Sequence, residues 1–137
     1  MTNKIIYFDM DGTLADLYSV DNVFKKLDSY DISPYIDAKP INKYINLLKE
    51  YKNNGYTIII LSCLSKITNN KYDREVVNAK GKWLDKYVGK EYIYERIYIP
   101  YTKNKSTYVN KKGILVDDDI NICNNWSMGK TIVANNK

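Results

Sequence analysis

Two apolar runs in this chain are unbroken where a half-buried strand would alternate: Ile5–Phe8 within Lys4–Asp9, and Ile58–Leu61 within Tyr56–Leu61. A strand that is apolar on both faces must be covered on both faces. Parallel sheets flanked by helices provide that cover. Ile93–Ile99, closed by Pro100, Gly113–Val116 and Lys130–Val133 read as further strands. Between them lie helical patterns. Val20, Val23, Phe24 and Leu27 share one face within Val20–Tyr30. Ile41, Tyr44, Ile45, Leu47, Leu48 and Tyr51 form another, stopped by Asn53-Asn54-Gly55. Tyr72–Val88 turns Val76, Val77, Trp83, Leu84 and Tyr87 inward, and Ile120–Trp126 is the last helix. Asn104–Val109 reads as a short helix or turn, and Ser33-Pro34 and Lys39-Pro40 as punctuation. Strands alternating with helices predict an α/β fold with a mostly parallel sheet.

In such a sheet, ligands sit beyond the carboxyl ends of the strands. Those ends carry complementary chemistry here: Asp9 with Asp11, then Ser62, then Lys105 after the third strand, then Asp117-Asp118. Carboxylates held together repel, so one takes a proton unless a cation lies between them. Histidine is absent from the 137 residues, which removes histidine-based triads and His-ligated zinc. Acid–base work falls to carboxylates, lysine or tyrosine. An oxygen-rich ligand set points to a hard cation, Mg²⁺ ahead of Ca²⁺. Mg²⁺, a lysine and a serine together suit a phosphoryl group.

The net charge of +5 leans towards an anionic partner, although the lysines are scattered. The 14 tyrosines lie among many Lys, Asn and Ile residues, as biased codon use alone would give. With 45% hydrophobic residues the chain can bury a core, and one domain over 1–137 is expected. No run approaches the ~18 apolar residues of a membrane span, and no leader pattern precedes Ile5. The expectation is a cytoplasmic protein with no membrane partner and with Cys63 and Cys123 as free thiols.

The strand-end residues also carry a resemblance. "DMDGT", Ser62, Lys105 and "ILVDDD" resemble the four motifs of the haloacid dehalogenase superfamily of phosphohydrolases, in order along nearly the whole chain. "KGKWLDKYVG", "KNKSTYV" and "ILVDDDINICNNWSMGKTIVAN" resemble the 5'(3')-deoxyribonucleotidase branch. Phosphatase domains of polynucleotide kinases have a similar Asp-Asp…Trp…Gly ending. The resemblance implies a Rossmann-like three-layer sandwich with a central parallel sheet. It implies a core of 1–13 and 41–137. The family's helical cap, which helps grip the nucleoside, is where this chain departs, since about 14–40 leaves room only for a very small one of one or two short helices.

It also implies roles. Asp9 is the nucleophile that forms an aspartyl-phosphate. Asp11 is the acid and then the base, and its backbone carbonyl binds Mg²⁺. Ser62 meets the phosphate. Cys63, outside the resemblance, reads either as inert packing or as a backbone N–H pointing at the phosphate. Lys105, preferred over Lys103, neutralises charge. Asp9, Asp11 and Asp118 hold the metal, with Asp117 behind them. Asp119 reads as a helix cap, and Trp83 and Trp126 as core. Leu17, Tyr18 and Phe24 read either as an apolar lid or as the core of the cap. The implied substrate is a (deoxy)nucleoside monophosphate. The alternatives are a nucleic-acid end, another small phosphomonoester or, from a different class, a phospho-accepting signalling module.

Overall fold

The computed structural model describes residues 4–135. The outer ends of the expected 1–137 unit, 1–3 and 136–137, lie outside the described residues. Five parallel strands form the main sheet: β1 (Ile5–Phe8), β4 (Thr57–Cys63), β5 (Glu95–Ile99), β6 (Ile114–Asp117) and β7 (Thr131–Val133). Their spatial order is β5-β4-β1-β6-β7, so β1 is central between β4 and β6. The unbroken apolar runs are the reason. Ile6, Phe8, Ile58 and Ile60 face one side, against Tyr44, Ile45, Leu48, Trp83 and Leu84 of α3 (Asn42–Asn53) and α4 (Asn70–Tyr87). Ile5, Tyr7, Ile59 and Leu61 face the other, against Ile122 of α5 (Ile120–Asn125) and Trp126. The expected three-layer α/β arrangement is therefore present. Trp83 and Trp126 are core residues, each donating its indole N–H to a backbone carbonyl, of Ala38 and Gly113 respectively.

Residues between Leu14 and Ile41 hold more local structure than their sequence suggests. A two-stranded antiparallel ribbon pairs β2 (Ala15–Asp16) with β3 (Lys39–Pro40). It encloses a 3-10 turn (Leu17–Ser19), α1 (Val23–Asp28) and α2 (Ser33–Asp37). Helix α1 is shorter than Val20–Tyr30 because Asn22 at its start is left-handed (φ 56°), as is Tyr30 beyond its end (φ 60°). Ser33-Pro34 opens a helix where it read as a break. Proline fits the first helical turn, whose N–H groups have no partner within the helix. Leu17, Val23 and Tyr35 pack on Tyr72, Val76 and Ala79 of α4. Strand β5 starts at Glu95 and not at Ile93, because Lys90–Tyr92 forms a 3-10 turn just before it. No helix among the described residues is long and apolar enough to cross a membrane. Cys63 and Cys123 are both free.

Candidate active site

Alternation along the strands decides which side chains meet. Asp9 follows Ile5 and Tyr7 onto the α5 face, and Asp117 follows Leu115 onto the same face. Lys105, on a 3-10 turn (Lys105–Tyr108) packed beside α5, reaches between them. Its Nζ lies 2.9 Å from Asp9 Oδ1, 2.9 Å from Asp117 Oδ2 and 2.9 Å from the carbonyl of Leu61. Burial works against the Lys105 charge, but the Asp9 and Asp117 carboxylates outweigh it and hold the ammonium far above its ordinary range.

The Thr13 hydroxyl lies 3.2 Å from Asp9 Oδ2 and 3.4 Å from Asp118 Oδ1, which joins the two strand ends. Gly12 makes room for that junction. Its φ of 85° disfavours a side chain, and a Cβ there would overlap the Asp118 carboxyl. Asp119 accepts from the N–H groups of Asn121 and Ile122, as a cap for α5.

Asp9, Asp117 and Asp118 each offer an oxygen, and these oxygens lie within 4.8 Å of one another. Burial first, and then the Asp9 charge, push Asp117 up to about 7 and Asp118 to about 8. Such crowding of oxygen donors, with no nitrogen or sulfur among them, fits a hard divalent cation. Asp117 thus stands among the clustered carboxylates, and the Asp11 carboxyl stands apart from them.

Ser62 follows Ile58 and Ile60 onto the opposite, α4 face and is fully buried. There it meets Lys80, a residue with no part in the sequence-based site. Lys80 Nζ donates to Asp11 Oδ2 at 2.8 Å, to Ser62 Oγ at 2.7 Å and to the Cys63 carbonyl at 2.8 Å. Asp11 is raised above the usual carboxylate range, with burial outweighing the nearby Lys80 charge. A signal for Lys80 was present in the sequence. It sits at i+4 from Val76 and i−4 from Leu84, in the middle of a stripe that is otherwise apolar.

A cavity of about 560 Å³ opens over these groups, reaching Asp9, Asp11, Lys105, Asp117 and Asp118. At the end of β4 its wall includes Cys63, Leu64 and Ser65, with Ser62 behind them. Burial raises the Cys63 thiol above its ordinary range. At the mouth, Tyr18 and Phe24 stack on each other, 6.1 Å between ring centroids and 51% and 65% exposed. Leu17 belongs instead to the small core against α4. Across the mouth, Lys66 and Lys103 both lie over the Tyr101 ring at 5.6 Å, and Lys103 also pairs with Asp119.

Comparison with solved structures supports the fold. A hydrolase from Streptococcus pneumoniae TIGR4 is 13% identical with a TM-score of 0.61, covering 98% of this chain and 94% of that one. A chain of the Pnkp1/Rnl/Hen1 complex is 20% identical with a TM-score of 0.58, covering 96% of this chain but only 45% of that one. No curated protein matches the sequence. The sequence profile of the polynucleotide kinase PNKP phosphatase domain matches residues 3–128, nearly the full length. The chain belongs to that family of haloacid-dehalogenase-type phosphatase domains.

Proposed function

We propose that this protein is a phosphomonoester hydrolase that works through an aspartyl-phosphate and takes the phosphorylated end of a nucleic acid as its substrate. The observation that carries the chemistry is Asp9. It stands at the carboxyl end of the central strand, at the base of the cavity, with Lys105 on one oxygen and Asp118 beside it. In the first step an Asp9 oxygen attacks phosphorus and the ester P–O bond breaks. Asp11 gives its proton to the departing alcohol oxygen. In the second step water attacks the same phosphorus, the bond to Asp9 breaks, Asp11 takes up the water proton and inorganic phosphate leaves. The raised proton affinity of Asp11 suits the first role.

Asp9, Asp118 and the Asp11 backbone carbonyl would hold Mg²⁺, with Asp117 supporting them. When bound, the ion would neutralise charge on the phosphoryl oxygens. Lys105 neutralises charge beside the nucleophile. The Cys63 backbone N–H would meet the phosphate, with Ser62 behind it to order that end of β4.

Two features support a polymeric substrate: the family assignment, and a mouth whose short 14–40 segment leaves stacked aromatics and lysines facing out. A terminal base would stack on Tyr18 and Phe24, and an adjoining phosphate would lie near Lys66 and Lys103. A (deoxy)nucleoside monophosphate is the second reading, since the same platform suits a single base. Phosphate release from a 3'-phosphorylated oligonucleotide, nucleoside monophosphates and a sugar phosphate, compared as kcat/KM, tests both. The oligonucleotide should lead by at least tenfold. Equal rates on sugar phosphates would defeat the nucleic-acid assignment. No Mg²⁺-dependent release from any of them would defeat the hydrolase.

A further inference from the structure

Lys80 is a second buried cation that the proposed chemistry leaves unused. An ammonium has three N–H donors. Those of Lys80 are committed to Asp11 Oδ2, Ser62 Oγ and the Cys63 carbonyl, all at 2.8 Å or less, and the side chain is 0% exposed. No donor remains for a substrate phosphate, and Lys80 does not line the cavity. The Tyr35 ring covers the ammonium, with its centroid 5.2 Å away. The residue therefore acts on Asp11 and not on the substrate.

We infer that Lys80 is a positioning residue. It fixes one Asp11 oxygen against the end of β4, so that the other oxygen is presented to the leaving group. The arrangement mirrors the opposite face of the sheet, where Lys105 ties Asp9 to the carbonyl of Leu61. Each carboxylate of the Asp-x-Asp pair is thus fixed to β4 by its own lysine. Two carboxylates close together in sequence are thereby held in different positions and can take different roles.

The inference rests on the hydrolase reading, and the experiment separates the two. Lys80→Met keeps an unbranched side chain of similar length but removes the charge and the donors. The wild type, Lys80→Met, Asp11→Asn and the double variant are compared on an alkyl phosphomonoester, which needs a proton on its leaving oxygen, and on p-nitrophenyl phosphate, which needs little. With the alkyl ester, Lys80→Met should lose about 10- to 100-fold in kcat, a part of the 10²–10⁴ a positioned acid contributes. With p-nitrophenyl phosphate it should stay within about threefold, because that reaction makes little use of the acid. KM should change little on either substrate. The double variant should be no slower than Asp11→Asn alone, since residues acting through one group are not additive. Lys80→Arg, which keeps the cation, should fall between wild type and Lys80→Met, and serves as the test if Lys80→Met does not fold. Equal losses on both substrates, a raised KM, or losses that multiply in the double variant would overturn the role of Lys80 while leaving the hydrolase standing. A wild type inactive on both esters and on the 3'-phosphorylated oligonucleotide, or an unimpaired Asp9→Asn, would remove the hydrolase and this inference with it.

Discussion

Asp9 and Asp11 are bound by lysines that approach from opposite faces of the sheet. Their substitutions should therefore fail differently. Asp9→Asn replaces a charged nucleophile with an amide, and no radiolabelled phosphate should remain on the denatured protein. Asp11→Asn should still trap label on Asp9 from an activated substrate, with turnover of alkyl esters lowered by about 10²–10⁴. Label on Asp9→Asn would contradict the assignment.

Asp117 and Asp118 set the pH behaviour. Folding raises their pKa values from about 4 to about 7 and 8. The folded state then binds more protons than the unfolded state across that window, so metal-free stability should fall as pH rises from about 4 to 8. A divalent cation compensates the ionised forms. The Tm increment from added Mg²⁺ should therefore grow between pH 5 and pH 8 and be largely lost in Asp118→Ala. An increment that shrinks with rising pH would show that the ion binds elsewhere.

At the scale of elements, β4 has two functional faces because side chains alternate along it. Ile59, Leu61 and Cys63 face the α5 side, where Cys63 reaches the cavity, whereas Ile58, Ile60 and Ser62 face α4. The unbroken run in Tyr56–Leu61 made the strand legible from sequence. It gave no indication of which end residue would face which layer, so Ser62 could be named but not placed. Lys80 was overlooked for a related reason. A charged residue on a buried helix stripe reads as a defect in the apolar pattern until its partners are known, and those partners come from β4 and from the turn after β1. The β2–β3 ribbon is two residues long on each side, too short to show any period. Trp83 fixes α4 against the sheet and donates to Ala38 at the end of the 14–40 segment. Trp83→Ala should cost about 3–5 kcal/mol, read as a lower denaturation midpoint. A cost below about 1 kcal/mol would show that α4 is held mainly by other contacts. The Gly12 turn is less tolerant still. Gly12→Ala should keep the fold but lose Mg²⁺ affinity, measured by calorimetry, because the added methyl occupies the Asp118 position.

At the scale of the whole molecule, the sheet order β5-β4-β1-β6-β7 brings residues from four separate stretches of chain to one end. That convergence was readable in advance, since parallel strands all present their carboxyl ends on the same side. The shape of the mouth was not, because the packing of the 14–40 segment on α4 is what brings Tyr18 and Phe24 to the same cavity as Lys66 and Tyr101. If that mouth holds nucleic acid, competition by single-stranded DNA should weaken with salt. The log–log slope should be about −0.7 per phosphate contacted, or about −1.4 for Lys66 and Lys103 together, and should approach zero when both are replaced by alanine. A slope near zero in the wild type would favour a mononucleotide. The two clamping lysines, 0% and 1% exposed, have a further consequence for chemical reactivity. An acylating reagent that modifies the surface amines of the folded protein should leave Lys80 and Lys105 untouched. The appearance of label on either would therefore time the opening of the sheet's catalytic end, as amide exchange times the opening of a backbone.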